Sequence, residues 1–174
     1  MKIQIALPVR DTAGKALAMS MQRFLIAWMF LFLPSVASGQ SGQNVPLDIG
    51  GRSVNLYVPN SYDAAQPAPV LVLLHGYGSS GNAHENYMRF KPLADEEGLL
   101  YLYPDGTPDC LNPPRKFWNA TNACCNFCFS SVDDVGFLSD MLDEVESQFS
   151  VDPRRIYFVG HSNGGFMSYR LACE

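Results

Sequence analysis

The sequence predicts a three-layer α/β fold built on a mainly parallel sheet, and three observations carry that prediction. Short apolar runs at Val70–Leu74, Leu99–Tyr103 and Arg155–Val159 are each bounded by Pro or Gly. Runs without alternation belong to strands covered on both faces. Helical patterning lies between them, over 83–97 and at Leu138, Met141, Leu142, Val145 and Phe149. The third run passes directly through Gly160-His161-Ser162-Asn163-Gly164-Gly165 into a new helical pattern at Phe166–Cys173. Strand, helix, strand, helix, strand, helix is the order of βαβ units in a parallel sheet.

Composition narrows the class. Of 174 residues, 47% are hydrophobic and 12% aromatic, which excludes a disordered chain, and the 14 Gly and 12 Pro follow no repeat. A net charge of −5 argues against nucleic acid as a partner, because neutralising phosphates needs a surplus of clustered Lys and Arg. No cofactor and no metal is implied, and the oligomeric state is left open.

Phe24 to Leu33 is uninterrupted and apolar, with Arg23 before it and Ser35-Val36-Ala37-Ser38-Gly39 after it. A basic flank, an apolar centre and a small-residue site is the layout of a secretory signal peptide, here 1–39 with the cut after Gly39. About ten residues rise only about 15 Å as a helix, too little to span a bilayer, so no stable membrane span is expected in the mature chain. The expected location is extracellular or periplasmic. Met19 or Met21 would make a more usual start than Met1.

The mature chain is read as a polar, Gly-containing linker at 40–50 followed by a partial domain at 51–174. Arg52–Val58 alternates polar and apolar, as a half-buried strand does, and Pro59 ends it. The helical stretch 83–97 must break, or begin a first turn, at Pro92. Residues 107–130 form a long irregular loop, of the kind that is functional or stapled. The helix of Leu138 to Phe149 takes its cap from Ser131, Asp133 or Asp134. Val151-Asp152-Pro153 turns the chain into the last strand.

Four of the five cysteines, Cys110, Cys124, Cys125 and Cys128, fall in that loop, and the fifth is Cys173. Such cysteine use fits an exported protein and loop-stapling disulfides. The one C-x-x-C, Cys125 to Cys128, lacks the second ligand pair that a structural zinc site needs.

Chemistry concentrates at Gly160-x-Ser162-x-Gly164. Between a strand and a helix this pattern is a nucleophile elbow, holding the serine hydroxyl above the amino end of the helix. His75-Gly76-Tyr77-Gly78, after the Val70–Leu74 strand, falls where a second oxyanion donor is expected. The two donors are assigned to the backbone N–H groups of Asn163 and Tyr77. His75 is expected to shape its loop by hydrogen bonding. His161 must leave the elbow in another direction, and His84 is expected to be solvated.

With these motifs in place the chain resembles secreted α/β-hydrolase esterases of the polyhydroxybutyrate-depolymerase and feruloyl-esterase type. The resemblance covers about residues 50–174 and rests on five segments: Leu73–Gly78, Tyr103–Gly106, Trp118–Ala120 with Cys124-Cys125, Val132–Leu138, and Val159–Gly165. It implies the α/β-hydrolase fold, cut off here after the elbow helix, and a Ser-Asp-His triad acting on an ester substrate, which includes polymeric ones, with Ser162 as nucleophile. Trp118 either lines the acyl pocket or packs beneath the stapled loop. His75 is a second substrate-binding candidate. Asp133 and Asp134 resemble acid partners but precede a helix, where capping is the expected role.

In this fold the triad runs Ser, then Asp or Glu, then His. After Ser162 the sequence holds one carboxylate, Glu174, and no histidine. The Arg155–Val159 strand would also be a bare apolar edge. The expectation is therefore the amino-terminal portion of a secreted serine esterase, weakly active or inactive by itself. A serine peptidase on the same fold, and a non-catalytic binding domain, are the alternatives.

Overall fold

The computed structural model describes residues 42–174, and the signal-peptide expectation for 1–39 lies outside the described residues. Among the described residues, seven strands and four helices follow in chain order. They are β1 (Gln43–Ile49), β2 (Arg52–Val58), β3 (Ala68–Leu74), α1 (Gly81–Met88), α2 (Lys91–Glu97), β4 (Leu100–Leu102), β5 (Thr107–Pro108), β6 (Lys116–Phe117), α3 (Asp134–Gln148), β7 (Val151–Gly160) and α4 (Asn163–Leu171).

Most of the 40–50 segment, expected as a linker, is β1, paired antiparallel with β2 from Gln43↔Val58 to Ile49↔Arg52. Gly50 and Gly51 make the turn with φ of 58° and 84°, the positive pair that a tight hairpin requires. Val45, Leu47 and Ile49 point inward at period two, and Pro46 is tolerated because β1 is an edge strand.

The five-stranded sheet has the order β1-β2-β4-β3-β7. β3 pairs parallel with both β4 and β7, as expected from its apolar run, while β1–β2 and β2–β4 are antiparallel. The sheet is thus mixed, parallel where the crossover helices operate. Strand β7 begins at Val151, so the expected turn at 151–153 is absorbed into its start, with a register irregularity opposite Ala68–Val70.

Each β3 side chain goes to one of two cores. Val70, Val72 and Leu74 pack with Phe137, Leu138, Met141 and Val145 of α3 and Met167 of α4. Leu71 and Leu73 pack with Ala94 of α2, Tyr101 and Tyr103, flanked by Met88 of α1. Helices therefore cover both faces, giving the three layers. Each such side chain contributes roughly 1.5–3 kcal/mol on burial.

The helices start where their sequences can satisfy the first amides. Ser80 Oγ accepts from the Ala83 N–H at 3.2 Å, and Asp133 caps α3 by accepting from the Gly136 N–H at 2.8 Å. Pro92 sits in the first turn of α2, after a left-handed Arg89. Asp134 is not a cap, contrary to expectation. It is buried and accepts from the Asn119 N–H at 2.8 Å, Thr107 Oγ1 at 3.0 Å and the Arg52 guanidinium at 3.3 Å. That carboxylate ties the long loop to α3 and β2.

The loop itself carries the β5–β6 ladder and two disulfides, Cys110–Cys128 and Cys124–Cys125, while Cys173 is a free thiol. Among the described residues no helix is long and apolar enough to cross a membrane.

Candidate active site

Strand β7 ends at Gly160 and α4 begins at Asn163, leaving two residues to reverse the chain. Ser162 takes φ 52° and ψ −115°, a conformation that side-chain-bearing residues rarely adopt and that costs about 1–3 kcal/mol. The glycines around it are sterically required. A Cβ on Gly160 would lie 2.1 Å from the Gly164 carbonyl oxygen, and one on Gly164 would lie 2.1 Å from the Leu74 carbonyl oxygen. The tightness of the bend excludes a side chain at Gly160, and the close packing of the elbow on β3 excludes one at Gly164. The result is that Ser162 stands exposed, and among the described residues its Oγ makes no hydrogen bond.

The β3–α1 loop comes alongside. A Cβ on Gly76 would sit 3.5 Å from Ser162 Cβ and 3.0 Å from His161 Nδ1. In this loop the Gly78 N–H donates to the Lys116 carbonyl at 2.8 Å and the Ser79 N–H to the Gly76 carbonyl at 3.1 Å. Just before them, the Tyr77 N–H donates to no acceptor among the described residues. Asn163 is the first residue of α4, where a backbone N–H has no intrahelical acceptor and the helix end is partly positive. The Tyr77 side chain is fixed separately, its hydroxyl donating to Asp109 at 2.6 Å and its ring meeting Phe127 edge-on.

Ser162 opens into a cleft of about 410 Å³ whose walls include Gly76, Tyr77, Ser79, His84, Tyr87 and His161. Two expected substrate-binding residues are not in these walls. His75 is fully buried, with Nδ1 donating to the Gly76 carbonyl at 2.8 Å and Nε2 accepting from the Gly106 N–H at 2.9 Å. It shapes the loop, and burial lowers its pKa. Trp118 is equally buried, its indole N–H donating to the His75 carbonyl at 3.0 Å. Of the two readings left open for Trp118, packing beneath the loop is the one its position fits.

His84 is a further correction. The ring expected in solvent is buried and stacks on His161, centroids 5.5 Å apart, and its Nε2 has no partner. Burial and then the neighbouring His161 push its pKa down. An apolar neighbourhood for His84 had no signal in the polar sequence around it. Asp109 organises the nearby backbone of Leu111 and Arg115, and its link to Tyr77, 32 positions away, was invisible before folding.

Chemically, the site offers an exposed alcohol on a strained bend, a helix amino end behind it and a loop amide beside it. Among the described residues there is no cluster of ligands that could hold a metal ion.

The chain matches the family described as "Putative esterase" over residues 50–174. It is 31% identical over 123 residues to feruloyl esterase B of Piromyces equi, covering 71% of this chain and 22% of that one. It is 26% identical over 124 residues to a bifunctional acetylxylan esterase/xylanase of Neocallimastix patriciarum, covering 71% and 16%. Among solved structures it superposes on an acetyl xylan esterase from Aspergillus awamori with a TM-score of 0.56 at 16% identity, covering 75% of this chain and 47% of that one. That likeness is one of fold. The chain spans less than half the length of each of these proteins.

Proposed function

Because the chain belongs to the esterase family of α/β-hydrolases, we propose that it carries the nucleophile and oxyanion-binding half of a serine esterase. The observation that carries this reading is the exposed, strained Ser162 at the close approach of the Gly76–Tyr77 loop. In the proposed reaction Ser162 Oγ attacks the acyl carbon of an ester, and its proton passes to a general base. The carbonyl oxygen becomes an oxyanion held by the N–H groups of Tyr77 and Asn163. Collapse breaks the acyl–oxygen bond, the alcohol leaves with the proton, and water then hydrolyses the acyl-serine.

No histidine among the described residues is arranged to serve as base. His75 is committed to Gly76 and Gly106, and His84 faces His161. The base and its carboxylate are proposed to come from sequence beyond residue 174, in keeping with the small share of its relatives that this chain covers. The proposed substrates are feruloyl or acetyl esters of polysaccharide, since relatives carry those activities in their names, with hydroxyalkanoate polyesters as a further class. Export is proposed from the Phe24–Leu33 segment and fits the two disulfides.

The test is hydrolysis of short-chain nitrophenyl esters by the enzyme extended through its downstream coding sequence. Ser162→Ala should lower kcat by about 10³-fold or more, and a fluorophosphonate adduct should map to Ser162. Unchanged turnover in Ser162→Ala would refute the proposal.

A further inference from the structure

The cleft at Ser162 does not end at Tyr77. A second depression, about 430 Å³, is walled by Tyr77, Ser79 and Ala83, which it shares with the Ser162 cleft, and continues to Pro114, Arg115 and Lys116. The two form one groove that runs past the Tyr77 ring. Both cations at its far end come from the strand and loop stapled by Cys110–Cys128, and they are not equivalent. Lys116 is paired with Asp105. Arg115 is exposed, makes no salt bridge among the described residues, and lies with its guanidinium carbon 5.8 Å from the Tyr77 ring centroid. Asp109 is buried, accepts from the Tyr77 hydroxyl and the amides of Leu111 and Arg115, and feels the charge of Arg115. The groove therefore ends in an exposed cation that shares its field with Asp109 and Tyr77 but makes no salt bridge among the described residues, on a chain whose net charge is −5.

We infer that Arg115 is a specificity residue that takes a free carboxylate on the non-reacting part of an ester substrate lying along Tyr77. A planar guanidinium with several N–H donors matches a carboxylate, and its interaction with the Tyr77 hydroxyl and ring restricts where the fork can go. The net negative charge of the chain disfavours such a substrate in general, and a local cation offsets that along this groove. This inference rests on the reading of Ser162 as the nucleophile, which fixes the opposite end of the groove.

The experiment is an NMR titration of the Ser162→Ala protein, in which no turnover interferes. The ligands are monomethyl esters of glutaric, adipic and suberic acid, each against its dimethyl ester, so that the spacing is sampled and the charge removed. For at least one length the half-ester should bind about fivefold more tightly than the diester. That preference should vanish in Arg115→Gln, survive in Arg115→Lys and shrink in 0.5 M salt, roughly as screening demands. Equal binding of every pair, or a preference untouched by Arg115→Gln, overturns the inference. Failure of the nucleophile reading shows separately, as ester hydrolysis that does not depend on Ser162.

Discussion

Asn163 and Trp118, 45 positions apart, hold each other by a reciprocal pair of buried hydrogen bonds. The Trp118 N–H donates to Asn163 Oδ1 at 2.6 Å, and Asn163 Nδ2 donates to the Trp118 carbonyl at 2.9 Å. The residue next to Ser162 thus uses its side chain as a strand-like partner for the stapled loop, while its backbone N–H, in the first turn of α4, has no intrahelical acceptor. Asn163→Leu should leave the buried Trp118 N–H without a partner, while the Trp118 carbonyl keeps the Ala120 N–H at 2.9 Å. A loss of about 1–3 kcal/mol is expected, read as a lower urea midpoint.

Strain at Ser162 predicts a trade between stability and chemistry. Ser162→Gly removes the cost of φ 52°, about 1–3 kcal/mol, against about 0.4–1 kcal/mol of extra freedom in the unfolded chain. A net gain of about 1 kcal/mol is expected, visible as a higher Tm. Ser162→Ala, which keeps a Cβ, should show no such gain. A lower Tm for the glycine variant would contradict the strained assignment.

The Cys110–Cys128 bridge closes a loop between residues 18 apart in sequence. Replacing both by serine should lower stability by about 3 kcal/mol on the chain-entropy account. The same variant should make the 110–128 segment more open to proteolysis, since only non-covalent contacts, those of Asp109 and the β5–β6 ladder among them, would then hold it. Digestion at unchanged sites and rates would argue against the bridge as the principal staple.

Acid should destabilise the fold through two histidines. Burial lowers the pKa of both His75 and His84 from the ordinary value of 6.5. Above that value both rings are neutral whether folded or unfolded, and stability does not depend on them. As pH falls below it, the unfolded chain takes up protons that the folded chain refuses, so stability declines. His75 has the clearer reason to refuse, because its Nε2 lone pair accepts the Gly106 N–H. Urea midpoints should be flat above about pH 7.5 and fall toward about pH 5. His84→Phe should flatten part of that fall. A midpoint that rises on acidification would reverse the sign and refute the argument.

Much of this architecture was legible before folding because its signals are local. The runs that became β3, β4 and β7 declared themselves by continuous apolar character between Pro and Gly. The elbow was legible for the same reason: its strand end, glycines, serine and helix start lie within a few residues. The β1 strand was missed although Val45, Leu47 and Ile49 do alternate, because Pro46 and the polar neighbours masked a signal that only pairing with β2 reveals.

By itself, then, the sequence determined which residue is bent out of the sheet and which loop follows the neighbouring strand, since bond geometry and periodicity act over short separations. Tertiary structure alone decided what each polar side chain does: Asp134 reaches Arg52, 82 positions away, His84 is buried against His161, and Trp118 is committed to Asn163 and His75 rather than to a pocket. A buried polar group must find its partner wherever the packed chain brings one. Its partner is therefore set by sheet order and helix placement, which no local window of sequence contains.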